Sequence, residues 1–209
     1  MPAILRLLLC AAASLLTPPL YAEDAATARS TLDVYFVPQA DLEVTGSLGS
    51  DSDKGDGFGI RALILPGMGT AFITAGISAE YQTNTFDSTL DYDQVRVGVG
   101  LVHPSSSGVF FEIDQFEVEG EETNGLSAHG RFATRIGQAA QVYADLAYLW
   151  LEDENQDLTG LEYTIGAALG DAGFGVFADY RITQLETELS NAEIELRNLR
   201  LGVRWGFGG

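Results

Sequence analysis

Between Leu199 and Phe207 the chain reads Leu-Arg-Leu-Gly-Val-Arg-Trp-Gly-Phe, with an apolar residue at every odd position and arginine or glycine at every even one. Successive side chains of a strand point to opposite faces. This run therefore builds one apolar face, Leu199, Leu201, Val203, Trp205 and Phe207, and one face of Arg200, Gly202, Arg204 and Gly206. A helix does not have a period of two, and a fold that accepts this segment must give its two faces different surroundings. Similar runs recur from Leu32 onward, so the chain is predicted to be all-β.

Two kinds of connection separate the runs. Pro66-Gly67-Met68-Gly69, Pro104-Ser105-Ser106-Ser107-Gly108, Gly137-Gln138-Ala139-Ala140 and Gly170-Asp171-Ala172-Gly173 are tight, nearly uncharged and made of turn-forming residues. The others are longer and acidic: Gly46 to Asp56, Gln82 to Asp93, Glu117 to Glu122, Glu152 to Asp157 and Glu186 to Glu195. Together they imply ten antiparallel strands, over 31–45, 57–65, 70–82, 92–103, 109–118, 126–136, 141–151, 160–169, 174–186 and 194–207. Both termini then lie on the side of the short turns. Pro38 interrupts the first strand, and a proline demotes a central strand, which leaves eight strands behind an irregular N-terminal region as the alternative.

At the N-terminus Arg6 precedes the apolar run Leu7 to Leu16, and Leu20-Tyr21-Ala22 places a small residue before Glu23. This reads as a secretory signal peptide over 1–22, followed by one β-barrel domain over 23–209. A retained membrane helix would need about 20 apolar residues. Cys10, the single cysteine, follows Leu9, where a lipidated cysteine wants a small residue. Once the signal is removed, no thiol remains for a disulfide, a nucleophile or a zinc site. Thirty acidic residues against 11 basic ones give a formal net charge of −19, and the single lysine is Lys54. Nucleic acid, which demands a basic patch, is excluded as a partner.

Alternation alone also suits a soluble lipocalin-like barrel with its apolar residues inward. The composition of the polar face decides against that. Read in phase, one face collects residues such as Ile60, Ile77, Val97, Val99, Leu146, Trp150, Val176 and Tyr180, with aromatics toward the strand ends. The other collects Arg61, Glu80, Arg96, Glu112, Asp114, Arg131, Arg135, Asp145, Glu162, Asp179, Arg181, Arg200 and Arg204, among Gly59, Gly76, Gly98, Gly100, Gly166 and Gly202. Seven of the ten Lys/Arg residues beyond position 22 fall on that face. The prediction is a transmembrane antiparallel up-and-down β-barrel, lipid outside and paired charges within. Arginine and carboxylate then form charge-assisted pairs, often bidentate, since one of them buried alone would cost roughly 3–5 kcal/mol. The glycines are expected to make room for the guanidinium groups.

Catalytic chemistry has little to draw on. His103 precedes Pro104 at the short-turn end, and His129 is expected to face the lumen near the outer rim, approached by Ser127 and Asp145. That is the one hydrolase-like constellation, and a hydrogen-bonded lumen histidine is its ordinary account; no catalytic residue is predicted. Asp51-Ser52-Asp53-Lys54-Gly55-Asp56-Gly57 resembles the opening of a calcium loop. It has Gly55 where a ligand belongs, Asp56 where the glycine belongs, and Ala62 in place of the bidentate glutamate. No metal site and no cofactor are predicted. The acidic connections, with Glu117, Glu119, Glu121, Glu122, Glu152, Asp153, Glu154 and Asp157, suit diffuse divalent ions shared with lipopolysaccharide phosphates, or simply solvated tips.

Arg200, Gly202, Trp205 and Phe207 resemble the C-terminal assembly signal of outer-membrane barrels, although Gly208 and Gly209 follow the last aromatic. With the Gly55-Asp56-Gly57-Phe58-Gly59 strand start and the run from Asp93 to Gly100, the chain resembles the small outer-membrane β-barrel proteins of Gram-negative bacteria, the OmpX/OmpA-like class. The resemblance implies a place in the bacterial outer membrane, lipid and lipopolysaccharide as neighbours, and insertion by the barrel assembly machinery; a monomer is expected, although the sequence itself does not fix the oligomeric state. Two functions remain open. One is a non-catalytic surface barrel with a filled lumen and acidic extracellular loops, acting in envelope integrity, adhesion or recognition. The other is a narrow porin-like channel for ions or small solutes, at a strand number where side chains can still fill the interior.

Overall fold

The computed structural model describes residues 29–47, 49–66, 73–88, 91–118, 121–137, 139–152, 157–170, 173–187 and 192–207. The signal peptide expected over 1–22 and the terminal Gly208 and Gly209 lie outside them. The alternating runs form β1 (Ser30–Gly46), β2 (Gly49–Ile64), β3 (Thr74–Phe86), β4 (Asp91–Val102), β5 (Gly108–Val118), β6 (Glu121–Ile136), β7 (Ala140–Glu152), β8 (Asp157–Gly170), β9 (Phe174–Thr187) and β10 (Glu193–Phe207). Each strand pairs antiparallel with its sequence neighbours and β1 pairs with β10, so the sheet closes on itself. Ten strands, not eight, make the barrel.

Pro38 is absorbed rather than excluded. The β1 register slips between Phe36 and Gln39 against β10, and between Val37 and Ala40 against β2. A bulge of this kind admits a residue that cannot donate to the ladder. It also reverses the strand's phase: Asp33, Tyr35 and Val37 are buried before it, Ala40 after it.

The outer surface is an apolar belt. Phe111 is 70% exposed, Ile165 68% and Ile113 65%. In water such a belt would drive aggregation, whereas hydrocarbon is its natural solvent. The interior is the reverse, for Arg96, Asp114, Asp179 and Arg200 are buried there. A soluble barrel with an apolar core throughout does not fit this distribution.

The strands run from 11 residues in β5 to 17 in β1, at or above the upper end of the roughly 9–11 that cross a bilayer. The excess lies at the acidic end, where Asp51, Asp53 and Asp56 belong to β2, Asp91 and Asp93 to β4, and Glu193 and Glu195 to β10. Segments expected to be long acidic loops are therefore mostly strand. Connections at that end cover 47–48, 87–90, 119–120, 153–156 and 188–192; those at the opposite end cover 65–73, 103–107, 137–139 and 171–173. The expected contrast in length is not found. Past the bilayer a strand's outer face meets water, so charged side chains sit in a ladder as readily as in a loop. Among the acidic residues singled out, Glu119, Asp153 and Glu154 lie outside the described residues.

Candidate functional site in the barrel lumen

Neighbouring strands bring opposite charges into register along the lumen wall. Arg204 of β10 faces Asp33 of β1, Asp33 faces Arg61 of β2, Arg61 faces Glu80 of β3, Glu80 faces Arg96 of β4 and Arg96 faces Asp114 of β5. Six strands thus carry a row of alternating sign. Arg200 faces Asp179 on β9, and Arg131 faces Asp145 on β7.

The guanidinium groups then reach beyond their neighbours. Arg96 forms a fork with Glu162 on β8 at 2.8 and 3.2 Å, while its Nε donates to Asp114. Glu80 accepts from Arg181 Nη2 at 2.8 and 3.0 Å, from Arg200 at 2.9 Å and from the Tyr35 hydroxyl at 2.6 Å. Arg200 Nε also donates to Asp179, which accepts from Tyr143 at 2.8 Å. Asp33 takes Arg204 at 2.8 and 2.9 Å and Arg61 at 2.8 and 3.1 Å. Arg131 grips Asp145 at 2.7 and 2.8 Å. These pairs cross the barrel between β3, β9 and β10 and between β4 and β8, tying opposite walls together.

Four of the inner-face glycines accommodate rings, not the arginines expected of them, while Gly76 lies against Leu63, Leu65 and Val102 and Gly98 against Glu112. A Cβ on Gly59 would fall 2.4 Å from the Tyr35 ring, one on Gly166 2.6 Å from Tyr143, one on Gly100 2.4 Å from Phe110 and one on Gly202 2.7 Å from Phe177. The rings lie close to the glycine backbone, and guanidinium groups lie over several of them: Arg200 over Tyr35 at 5.3 Å, Arg131 over Tyr143 at 5.4 Å, and Arg61 over Phe177 at 5.5 Å. Glycine, ring and arginine thus meet at Tyr35, Tyr143 and Phe177, where cation–π attraction adds to the ion pairs.

Toward the acidic end the lumen changes character. Above the ion pairs come buried uncharged polar side chains, Gln82, Asn84, Gln94, Thr183 and Asn198. Beyond them Phe86, Tyr92, Phe116, Leu149, Leu151, Leu158, Leu185 and Leu196 pack into an apolar plug. On β7 the inward residues pass from Tyr143 and Asp145 to Ala147, Leu149 and Leu151, and on β9 from Asp179 and Arg181 to Thr183 and Leu185. At the end where β1 begins and β10 finishes, the lumen instead opens into a cavity of about 100 Å³ lined by Arg29, Arg131, Arg135 and Arg204.

Twelve of the thirteen charged residues expected inside take part in ion pairs. Arg135 does not: it is exposed at the mouth and makes no ion pair among the described residues. Asp33 was missed in the sequence reading, although it anchors two arginines, because Pro38 hid the phase of β1. Its signal was the alternation Asp33-Val34-Tyr35-Phe36 ahead of the proline. Tyr143 and Phe177 were missed as well, each two residues before an inward aspartate.

His129 faces the lumen beside Phe110, with ring centroids 6.0 Å apart, and lies mid-strand rather than near the outer rim. The displacement arises because β6 begins at Glu121, several residues earlier than expected. Its Nδ1 is 3.4 Å from Glu112 and its Nε2 3.9 Å from Asp145, which Arg131 already occupies. Ser127 makes no hydrogen bond to it, so the expected constellation lacks a nucleophile joined to a base. His103 sits in the turn after β4, its Nδ1 2.9 Å from the Ser105 hydroxyl. In the calcium-like run Asp53 accepts from the Ser88 hydroxyl and backbone, and the hydroxyl holds its carboxyl below the usual range. Among the described residues no three His, Cys, Asp or Glu side chains converge as metal ligands.

The terminal segment behaves as two faces. Trp205 and Phe207 point outward, 61% and 45% exposed, while Arg200 is buried and Gly202 lies beneath the Tyr35 and Phe177 side chains.

No family model and no curated protein sequence matches the chain. Among solved structures, an outer membrane channel from Pseudomonas putida F1 aligns over 90% of this chain and 100% of its own, with a TM-score of 0.50 and 9% identity. Neisserial surface protein A aligns over 85% and 97%, with a TM-score of 0.40 and 16% identity. The attachment invasion locus protein of Yersinia pestis aligns over 86% and 99%, with a TM-score of 0.34 and 16% identity. The likeness to the channel is one of fold: this chain has the architecture of an outer-membrane β-barrel.

Proposed function

We propose that the chain is a non-catalytic surface barrel of the bacterial outer membrane, a rigid and non-conducting body that presents acidic strand ends outside the cell. The observation that carries this reading is the apolar plug of Phe86, Phe116, Leu149, Leu151 and their neighbours, stacked on cross-linked ion pairs. A conducting pore needs a continuous polar path, and an apolar constriction of this kind dewets. In this reading the termini and the arginine-lined mouth face the periplasm, as they do in barrels inserted from that side by the assembly machinery, for which Arg200, Gly202, Trp205 and Phe207 are the recognition residues. The protein is monomeric, and its acidic ends meet lipopolysaccharide through shared divalent ions. Its role belongs to envelope integrity, adhesion or recognition.

Single-channel recording of the refolded protein in a planar bilayer tests the reading. The expected trace is silent, with folding verified by the faster migration of the unheated gel band. Discrete, reproducible conductance steps would overturn it in favour of a narrow channel.

A further inference from the structure

We infer that the mouth of the barrel where β1 begins and β10 finishes is a binding vestibule for a phosphate-class anion. Four arginines line it, and no carboxylate does so among the described residues, in a chain whose formal net charge is −19. The four differ in how they are held. Arg131 and Arg204 are fixed from behind by Asp145 and Asp33, and their guanidinium carbons lie 5.4 and 5.6 Å from the Tyr143 ring. Arg131 spends Nε and Nη2 on Asp145, which leaves Nη1 without a partner among the described residues. The side chains of Arg29 and Arg135 make no ion pair or hydrogen bond among the described residues. Two preset guanidinium groups and two unengaged ones around one cavity are what an anion needs: the first pair costs little to order, and the second supplies charge not already neutralised.

The chemistry favours phosphate. A guanidinium presents a planar fork that matches paired phosphate oxygens, and all four cations here are arginine. The cavity holds about 100 Å³, several times the roughly 10–15 Å³ that one water needs, so a phosphate group and part of its hydration fit. Above it the ion pairs and the apolar plug close the lumen, so an anion that enters leaves by the same opening. This geometry retains a ligand and does not transport it. The vestibule does not depend on the surface role proposed above, since it stands on the opposite end of the barrel. The source of the phosphate rests on the orientation proposed above: with the mouth facing the periplasm, it is either a free periplasmic ester or a phospholipid headgroup of the inner leaflet.

The barrel folded in an alkyl maltoside, in phosphate-free buffer, is titrated calorimetrically with inorganic phosphate, with glycerol 3-phosphate and with micellar phosphatidylglycerol. Saturable binding at one site per barrel is expected. It should weaken by at least about tenfold in the Arg29→Gln, Arg135→Gln double variant and stay unchanged in Arg197→Gln, whose side chain lies at the acidic end. Binding of the soluble phosphates assigns the site to a free ester, and binding of the lipid alone assigns it to a headgroup; either supports the vestibule. No saturable binding to any of the three, or full binding by the folded double variant, would overturn it. Should the double variant fail to fold, Arg135→Gln alone carries the comparison, because that side chain pairs with nothing among the described residues.

Discussion

Glu80 gathers Arg181, Arg200 and the Tyr35 hydroxyl, from β9, β10 and β1, onto one carboxylate. Removing its charge leaves two buried guanidinium groups without their shared counter-ion, a situation that costs about 3–5 kcal/mol. Glu80→Gln should therefore lower the temperature at which the folded gel band is lost far more than Tyr35→Phe, which removes one hydrogen bond to a charged group, worth about 1.5–3 kcal/mol. Equal losses would mean that the hydroxyl, not the charge, organises the hub. The membership of this network was readable from residue type and phase, since Arg96, Glu162, Asp179 and Arg181 each fall on the polar face of an alternating run. The partners were not, because Glu80 and Arg200 are 120 residues apart and meet across the lumen. That contact depends on barrel diameter and strand register, which no local pattern encodes.

Strand pairs add a second constraint, because several inner-face glycines are set against rings. Gly59 of β2 lies opposite Tyr35 of β1, and the three atoms nearest to an added Cβ all belong to that tyrosine. Gly130 of β6 has only the Leu146 carbonyl nearby, at 3.9 Å. Gly59→Ala should destabilise the barrel by about 1–3 kcal/mol through overpacking, while Gly130→Ala stays near neutral. Adding Tyr35→Leu to Gly59→Ala should recover part of the loss, and an additive double variant in the gel-band melting assay would show that the ring does not set the cost. The glycine positions were visible in the sequence but their purpose was misread, for arginine is the longer side chain and the natural guess. The ring occupies the space a Cβ would fill and leaves the guanidinium free to reach the carboxylates. β1 shows a comparable limit. Its alternation up to Val37 was plain, but the bulge at Pro38 shifts the phase, and a bulge is recognised only against its partner strands.

Taken whole, the barrel has two interiors stacked along one axis, and the rule that governs its walls reverses between them. In the membrane segment apolar residues face out and charges face in. Toward the acidic end the inward positions are Phe116, Leu149 and Leu185, while the outward ones include Glu117, Glu152 and Glu186. Both halves alternate with a period of two, so the sequence pattern announces strand throughout and is silent on where lipid gives way to water. The acidic residues were accordingly read as loops. The boundary can be measured on one face of β5, whose outward side chains run from Phe111 and Ile113 in the belt to Glu117 at the acidic end. An arginine at the centre of a lipid-facing belt costs roughly 2–4 kcal/mol, falling to about 0–1 kcal/mol near the interface. Ile113→Arg should thus lower folding stability in phospholipid vesicles, measured by denaturant titration of tryptophan fluorescence, while Glu117→Arg leaves it within about 1 kcal/mol. Comparable costs at the two positions would place the acidic end inside the bilayer, and the strands would then span the membrane without standing above it.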